Sequence, residues 1–190
     1  MVFKYKIFSS LLFSLLLLFS FIFGCSCPDS PTLTIIDSNT NVKINSTGNY
    51  VGGLVGLFKT SDVLGKINNT YSDSIIVGND TVGGIIGSDE ISGEDHTYSN
   101  IIANSFFTGS ISCNSNCGGF SGKNYGIITN SFYNNNSNNP SVAIGSDDNA
   151  QTITAIDDNL SYFYLQSNPP MDSWDSNTWS WFANNLPVLK

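Results

Sequence analysis

Two short phrases recur along this chain in step with one another. The first is Gly-Gly-x-x-Gly, seen as VGGLVG at 51–56, VGGIIG at 82–87 and CGGFSG at 117–122. The second is Ile-x-Asn-[Ser/Thr]-[Tyr/Phe], beginning at Ile67, Ile102 and Ile128. The step from Asn69 to Gly83 equals the step from Asn104 to Gly118. The step from Asn104 to Asn130 is shorter than that from Asn69 to Asn104, and the difference is confined to GSDEISGEDHTYSN and GKNYG. Independent phrases at one offset, with insertions at one place, mark a stack of repeated units whose loops vary on one side.

Within each phrase the period is two. On an extended strand Ile67, Asn69 and Tyr71 share one face, as do Ile102, Asn104, Phe106 and Ile128, Asn130, Phe132. Burying one amide on an otherwise apolar face costs a few kcal/mol unless it is paired. Parallel stacking answers this by laying each amide over the next, where it can donate and accept. Asn69, Asn104 and Asn130 are therefore expected to form an asparagine ladder. The motif glycines, Gly52, Gly53, Gly56, Gly83, Gly84, Gly87, Gly118, Gly119 and Gly122, are read as points of close backbone approach. A phosphate cradle is the rival reading. It needs GxxxxGK[ST], or GxGxxG entering a helix, and neither occurs here.

The quoted phrases resemble the GLUG motif of bacterial and archaeal surface proteins, most closely in the second copy and in CGGFSGKNYGIITNSFY. The resemblance covers about residues 42–145, and the closing WDSNTWSWFANNLPVLK is similar to the tail that often ends such arrays. It implies an all-β, right-handed parallel β-helix on an exported, adhesin-like protein. It implies no biochemical activity.

The N-terminus carries its own message. Lys4 and Lys6 precede an apolar run at 7–24, the build of an export signal. Gly24-Cys25 resembles a bacterial lipoprotein processing site, in which Cys25 would carry lipid, although Phe23 stands where a small residue is usual. Three readings stay open: lipidation of Cys25, a retained signal-anchor helix near the minimum length of a membrane span, or plain cleavage. All place the rest of the chain outside the cytoplasm, at the cell envelope and anchored to its membrane in the first two cases. Cys113 and Cys117, at the ends of CNSNC, are expected to pair as a small disulfide in an oxidising compartment. Seven basic residues against 15 acidic ones, net −8, oppose a nucleic-acid partner.

The expected organisation is an export segment at 1–24, a polar tether at 25–41, repeats at 42–145 and a cap at 146–190. In the cap, AIDDNLSYFYLQ is read as a short helix starting near Asp157 or Asp158. Trp174, Trp179, Trp181 and Phe182 are read as covering the exposed end of the stack, with sugar stacking on exposed Trp as the alternative. The one histidine, His96, lies near Asp89, Glu90, Glu94 and Asp95 in what reads as a solvated insertion loop. The spacing lacks an EF-hand pattern, so no metal site is assigned. Asp147-Asp148 and Asp157-Asp158 are adjacent pairs that point to opposite faces of a strand, which makes no catalytic dyad. No catalytic residue and no cofactor is assigned. The expected role is non-enzymatic binding or display at the surface, toward a glycan or protein ligand. A purely structural envelope component and a carbohydrate-active enzyme are the alternatives.

Overall fold

The computed structural model describes residues 32–61, 63–92, 100–147, 151–156 and 159–190. The export segment with its expected helix, Cys25 and Cys27 lie outside these residues. Among the described residues no helix is long and apolar enough to cross a membrane.

The fold is predominantly β, with parallel sheets. A first pass of chain supplies β1 (Thr32–Thr40), β2 (Lys43–Asn45), β3 (Asn49–Gly52) and β4 (Val55–Ser61). A second supplies β5 (Leu64–Ser72), β6 (Ile75–Val77), β7 (Asp80–Gly83) and β8 (Ile86–Ser92). A third supplies β9 (Ile101–Ala103), β10 (Phe106–Phe107), β11 (Ser110–Ser112), β12 (Ser115–Gly118) and β13 (Ser121–Asn124). The last supplies β14 (Ile127–Asn134), β15 (Ile144–Asp147) and β16 (Gln151–Ile156). β1 to β4 pair in parallel with their counterparts β5 to β8, and these pair in parallel with β9 to β13 of the third pass; beyond that, β9 and β10 pair with β14, β13 with β15, and β14 with β16. The sheets run β1-β5-β10-β14-β16, with β9 beside β5 and β14; β2-β6-β11; β3-β7-β12; and β4-β8-β13-β15. A short antiparallel pair, β17 (Trp179–Ser180) with β18 (Val188–Leu189), closes the chain.

The parallel register lines like residues up in columns. Ile35, Ile67, Ile102 and Ile128 form one, and Ile44, Ile76 and Ile111 another. Ile67, Ile102, Ile128 and Ile76 are fully buried in the core. β-branched side chains suit this packing because they fill the pleat with little rotamer freedom to lose.

The asparagine phrase folds differently from the simple alternation expected of it. Asn69, Asn104 and Asn130 have φ of 52°, 51° and 46°, and Asp37 in the first pass has 49°. Asn and Asp tolerate this left-handed conformation better than most residues. One such residue inverts the alternation that follows it. Ile67 points inward before Asn69, and Thr70 and Ser72 point inward after it. Tyr71, Phe106 and Phe132 therefore turn to the outer face and stack on one another, with centroids 4.8 Å apart at each step. The shared Ile-Asn-aromatic face is thus corrected, and the three asparagines sit at a half-buried bend. The ladder contacts are Asn69 Nδ2 to Asp37 Oδ1 at 3.0 Å and Asn104 Nδ2 to Asn68 Oδ1 at 3.1 Å, with Asn69 Oδ1 at 3.5 Å. At Asn130 it is the backbone carbonyl that is engaged, by the Trp174 indole.

Two boundaries move. Residues 32–40, expected in the tether, form β1 and pair with β5 over its length. The segment after 146 continues the sheets through β16. The short helix expected near Asp157 or Asp158 is a 3-10 helix at Leu160–Tyr164, preceded by Asn159; both aspartates lie outside the described residues.

The tail's aromatics cover a side of the stack, which corrects the end-capping expectation. Phe163 lies 3.8 Å from Phe132, Trp174 lies 5.8 Å from Phe132, and Trp179 lies 5.8 Å from Phe106 and 6.2 Å from Tyr71. The outward aromatic row, created by the left-handed asparagines, is the apolar surface that needs cover. Trp174 and Trp179 are 2% and 1% exposed, so neither presents a face for sugar stacking. Phe182 stays exposed.

The glycine phrase sits where chain meets chain. A Cβ on Gly118 would stand 1.8 Å from the Ser121 carbonyl oxygen and 2.7 Å from the Gly145 nitrogen of the next pass. A Cβ on Gly119 would stand 2.0 Å from the nearest atom of the Tyr133 ring.

Candidate functional site

The sheet β2-β6-β11 has three strands, one fewer than β4-β8-β13-β15. Where a further strand would follow β11, the chain runs through the polar NNNSNNP segment. There the Asn139 side chain takes the place of a strand edge. Its Oδ1 accepts the Ile111 N–H at 2.8 Å, and its Nδ2 donates to the Gly109 and Asn134 carbonyls at 2.9 and 2.8 Å. A side-chain amide carries one acceptor and two donors, so all three contacts are satisfied at once.

Beside this substitution opens a cavity of about 600 Å³. The exposed side chains of Ile75 and Val77 give it apolar walls, while Ser110, Ser112 and Asn138 add hydroxyl and amide groups. Cys113 and Cys117 border it and are joined as a disulfide, with Cα atoms 6.1 Å apart. The half-cystine Cys117 pairs in register with Val82, so in the third glycine phrase the disulfide occupies the position held by Val in the second. Among the described residues the lining contains no Asp, Glu, His, Lys or Arg. Such a surface can bind a neutral ligand through apolar contact and hydrogen bonds.

The remaining polar candidates separate. His96, Glu94, Asp95, Asp148, Asp157 and Asp158 lie outside the described residues. Asp147 ends β15 opposite Asn124. Asp89 and Glu90 belong to β8, which corrects the solvated-loop reading for these two. Asp89 is fully buried, and Glu90 pairs with Lys59 of β4 at 3.4 Å. Asp89 Oδ1 accepts from the Asn100 side-chain amide. Its Oδ2 lies beside the Gly126 N–H, which favours the charged form without meeting it at hydrogen-bond geometry. Burial outweighs both effects and, with a smaller push from the Glu90 charge, raises the Asp89 carboxyl from 3.8 to about 6.

A raised carboxyl pKa means that the folded chain holds the proton more tightly than the unfolded one. The stability linked to Asp89 is then complete below 3.8 and is lost as pH rises to about 6. A rise of that size corresponds to roughly 3 kcal/mol. Urea unfolding across this window should show stability falling with pH, and Asp89→Asn should remove that component of the slope. An unchanged slope in the variant would refute the assignment.

No family model, curated protein or solved structure matches this chain.

Proposed function

We propose that this chain is a short right-handed parallel β-helix of the GLUG-repeat type, exported and held at the cell surface, where it binds or displays rather than catalyses. The pass-by-pass parallel pairing supports the helix, and parallel β crossovers are right-handed in about 98% of cases. The observation that carries the binding role is the cavity beside β11, a concave site with apolar walls, hydroxyls and amides and, among the described residues, no charged side chain. That lining suits a neutral hydroxyl-bearing ligand such as a glycan.

A glycan array probed with the full chain tests this. Retention is expected on a subset of neutral glycans, and Ser112→Trp, which fills the cavity, should weaken it at least tenfold. Retention on no glycan would leave the chain a structural envelope component, and retention unaffected by Ser112→Trp would move the site elsewhere. Anchoring is tested separately: Cys25→Ser should release a lipoprotein from membranes or block its processing, and would leave a signal anchor unchanged.

A further inference from the structure

Thr60, Asp89 and Asn100 come from three successive passes of the chain and meet in the interior. Thr60 lies in β4, Asp89 in β8, and Asn100 immediately precedes β9. They are 3%, 0% and 1% exposed. The Thr60 hydroxyl donates to Asn100 Oδ1 at 2.8 Å. Asn100 Nδ2 donates to Asp89 Oδ1 and, at 3.4 Å, to the Glu90 carbonyl. Two glycines make room for the group. A Cβ on Gly65 would stand 2.1 Å from Asn100 Oδ1, and one on Gly126 would stand 2.3 Å from Asp89 Oδ2. Phe58, itself 2% exposed, packs close to Gly65 and helps to exclude water.

A buried hydroxyl, a carboxamide and a carboxyl in one hydrogen-bonded chain are a nucleophile, an electrophile and a proton carrier. We propose that Thr60 and Asn100 condense into an intramolecular ester, with Asp89 as the catalytic residue that moves the proton. Thr60 Oγ1, hydrogen-bonded to the oxygen that Asn100 Cγ carries, attacks that carbon and forms the C–O bond. The Cγ–Nδ2 bond breaks. The hydroxyl proton moves to Asn100 Oδ1, to which it is already hydrogen-bonded, and the acid form of Asp89 protonates Nδ2; the nitrogen leaves with both protons as ammonium, and Asp89 is left as the carboxylate. The exchange needs no oxidant and no cofactor, and release of ammonia as ammonium into solvent carries it forward. Holding reactants in place in this way is worth effective molarities of about 10⁵–10⁸ M. Burial raises the Asp89 carboxyl to about 6, so the acid form persists at mildly acidic pH, where it can protonate the leaving nitrogen. Among the described residues, the other charged group acting on Asp89 is Glu90, which Lys59 of β4 engages. The ester would tie the first pass to the third.

Peptide mapping of the full chain after incubation at pH 5 to 6 tests this. Trypsin cuts after Lys59, Lys66 and Lys123, so Thr60 falls in peptide 60–66 and Asn100 in peptide 67–123. The expected product is the two peptides joined, lighter by one ammonia than their summed masses, and parted by hydroxylamine. Thr60→Val should yield only linear peptides. Asp89→Asn, with its fold checked by Trp fluorescence, should slow joining about a hundredfold or more. Recovery of both linear peptides at full mass from folded wild-type chain would overturn the proposal. So would conversion of Asn100 to Asp without a joined product, or a joined product that persists in Thr60→Val. The wild-type map decides even if a variant fails to fold.

Discussion

Replacing Trp174 by Ala is expected to cost roughly 3–5 kcal/mol of stability, the range for emptying a large aromatic site. Trp174 is 2% exposed, packs on Phe106 and Phe132, and donates its indole N–H to the Asn130 carbonyl at 3.0 Å. Its loss opens a cavity over the outward aromatic row and leaves that carbonyl without its donor. Trp179 touches the same row and lies 4.8 Å from Trp174, so the double variant should lose less than the sum of the singles. Phe182→Ala, at a 57% exposed site, should change stability by about 0.5 kcal/mol or less. Urea denaturation followed by circular dichroism measures all four variants, the Trp179→Ala single included. A loss below about 1 kcal/mol for Trp174→Ala would mean that the tail does not cover the side of the sheets.

The second large effect is expected at Gly118. A methyl group there meets backbone on two sides, the Ser121 carbonyl within its own pass and the Ala143 and Gly145 backbone of the next. Backbone cannot swing away as a side chain can, so the passes must part. A loss above about 3 kcal/mol, or failure to fold, is expected for Gly118→Ala, beyond the usual cost of overpacking. Gly48→Ala is the matched control, since its nearest neighbour is the Ser46 hydroxyl at 3.4 Å, an ordinary contact. It should be neutral or slightly stabilising, because Ala restricts the unfolded chain. Equal effects at the two sites would deny the motif glycines their role in close stacking.

These residues also show what could be read from the sequence. The offsets that carry Asn69 to Asn104 and Asn104 to Asn130 are those by which Tyr71 pairs with Phe106 and Phe106 with Phe132. The repeat phrases therefore contained the register. They did not show the bend, because two-fold alternation assumes extended backbone and the left-handed Asn violates it. The outward aromatic row and the side-on tail both follow from that one conformational fact. β1 was hidden by substitution: Ile35-Ile36-Asp37-Ser38-Asn39 is the same phrase with Asp for Asn and Asn for the aromatic. Allowing Asp at the left-handed position would have found it. A fourth glycine phrase was hidden likewise, with Ser141 and Val142 in place of the paired glycines and Gly145 retained. The Thr60–Asn100–Asp89 group had no local signal, since its members belong to different passes and only the stacking joins them. The cavity was equally silent, because it arises where a strand is missing and one side chain, Asn139, takes its place.

Successive passes stack in parallel register, and amide and Hα NOEs around Ile76 report on that stacking. Parallel stacking predicts contacts from the Ile76 backbone to Ile44 on one side and Ile111 on the other, with their neighbours in the same order along the chain. Contacts in reversed order, or pairing of β6 with β7 as a hairpin, would contradict it.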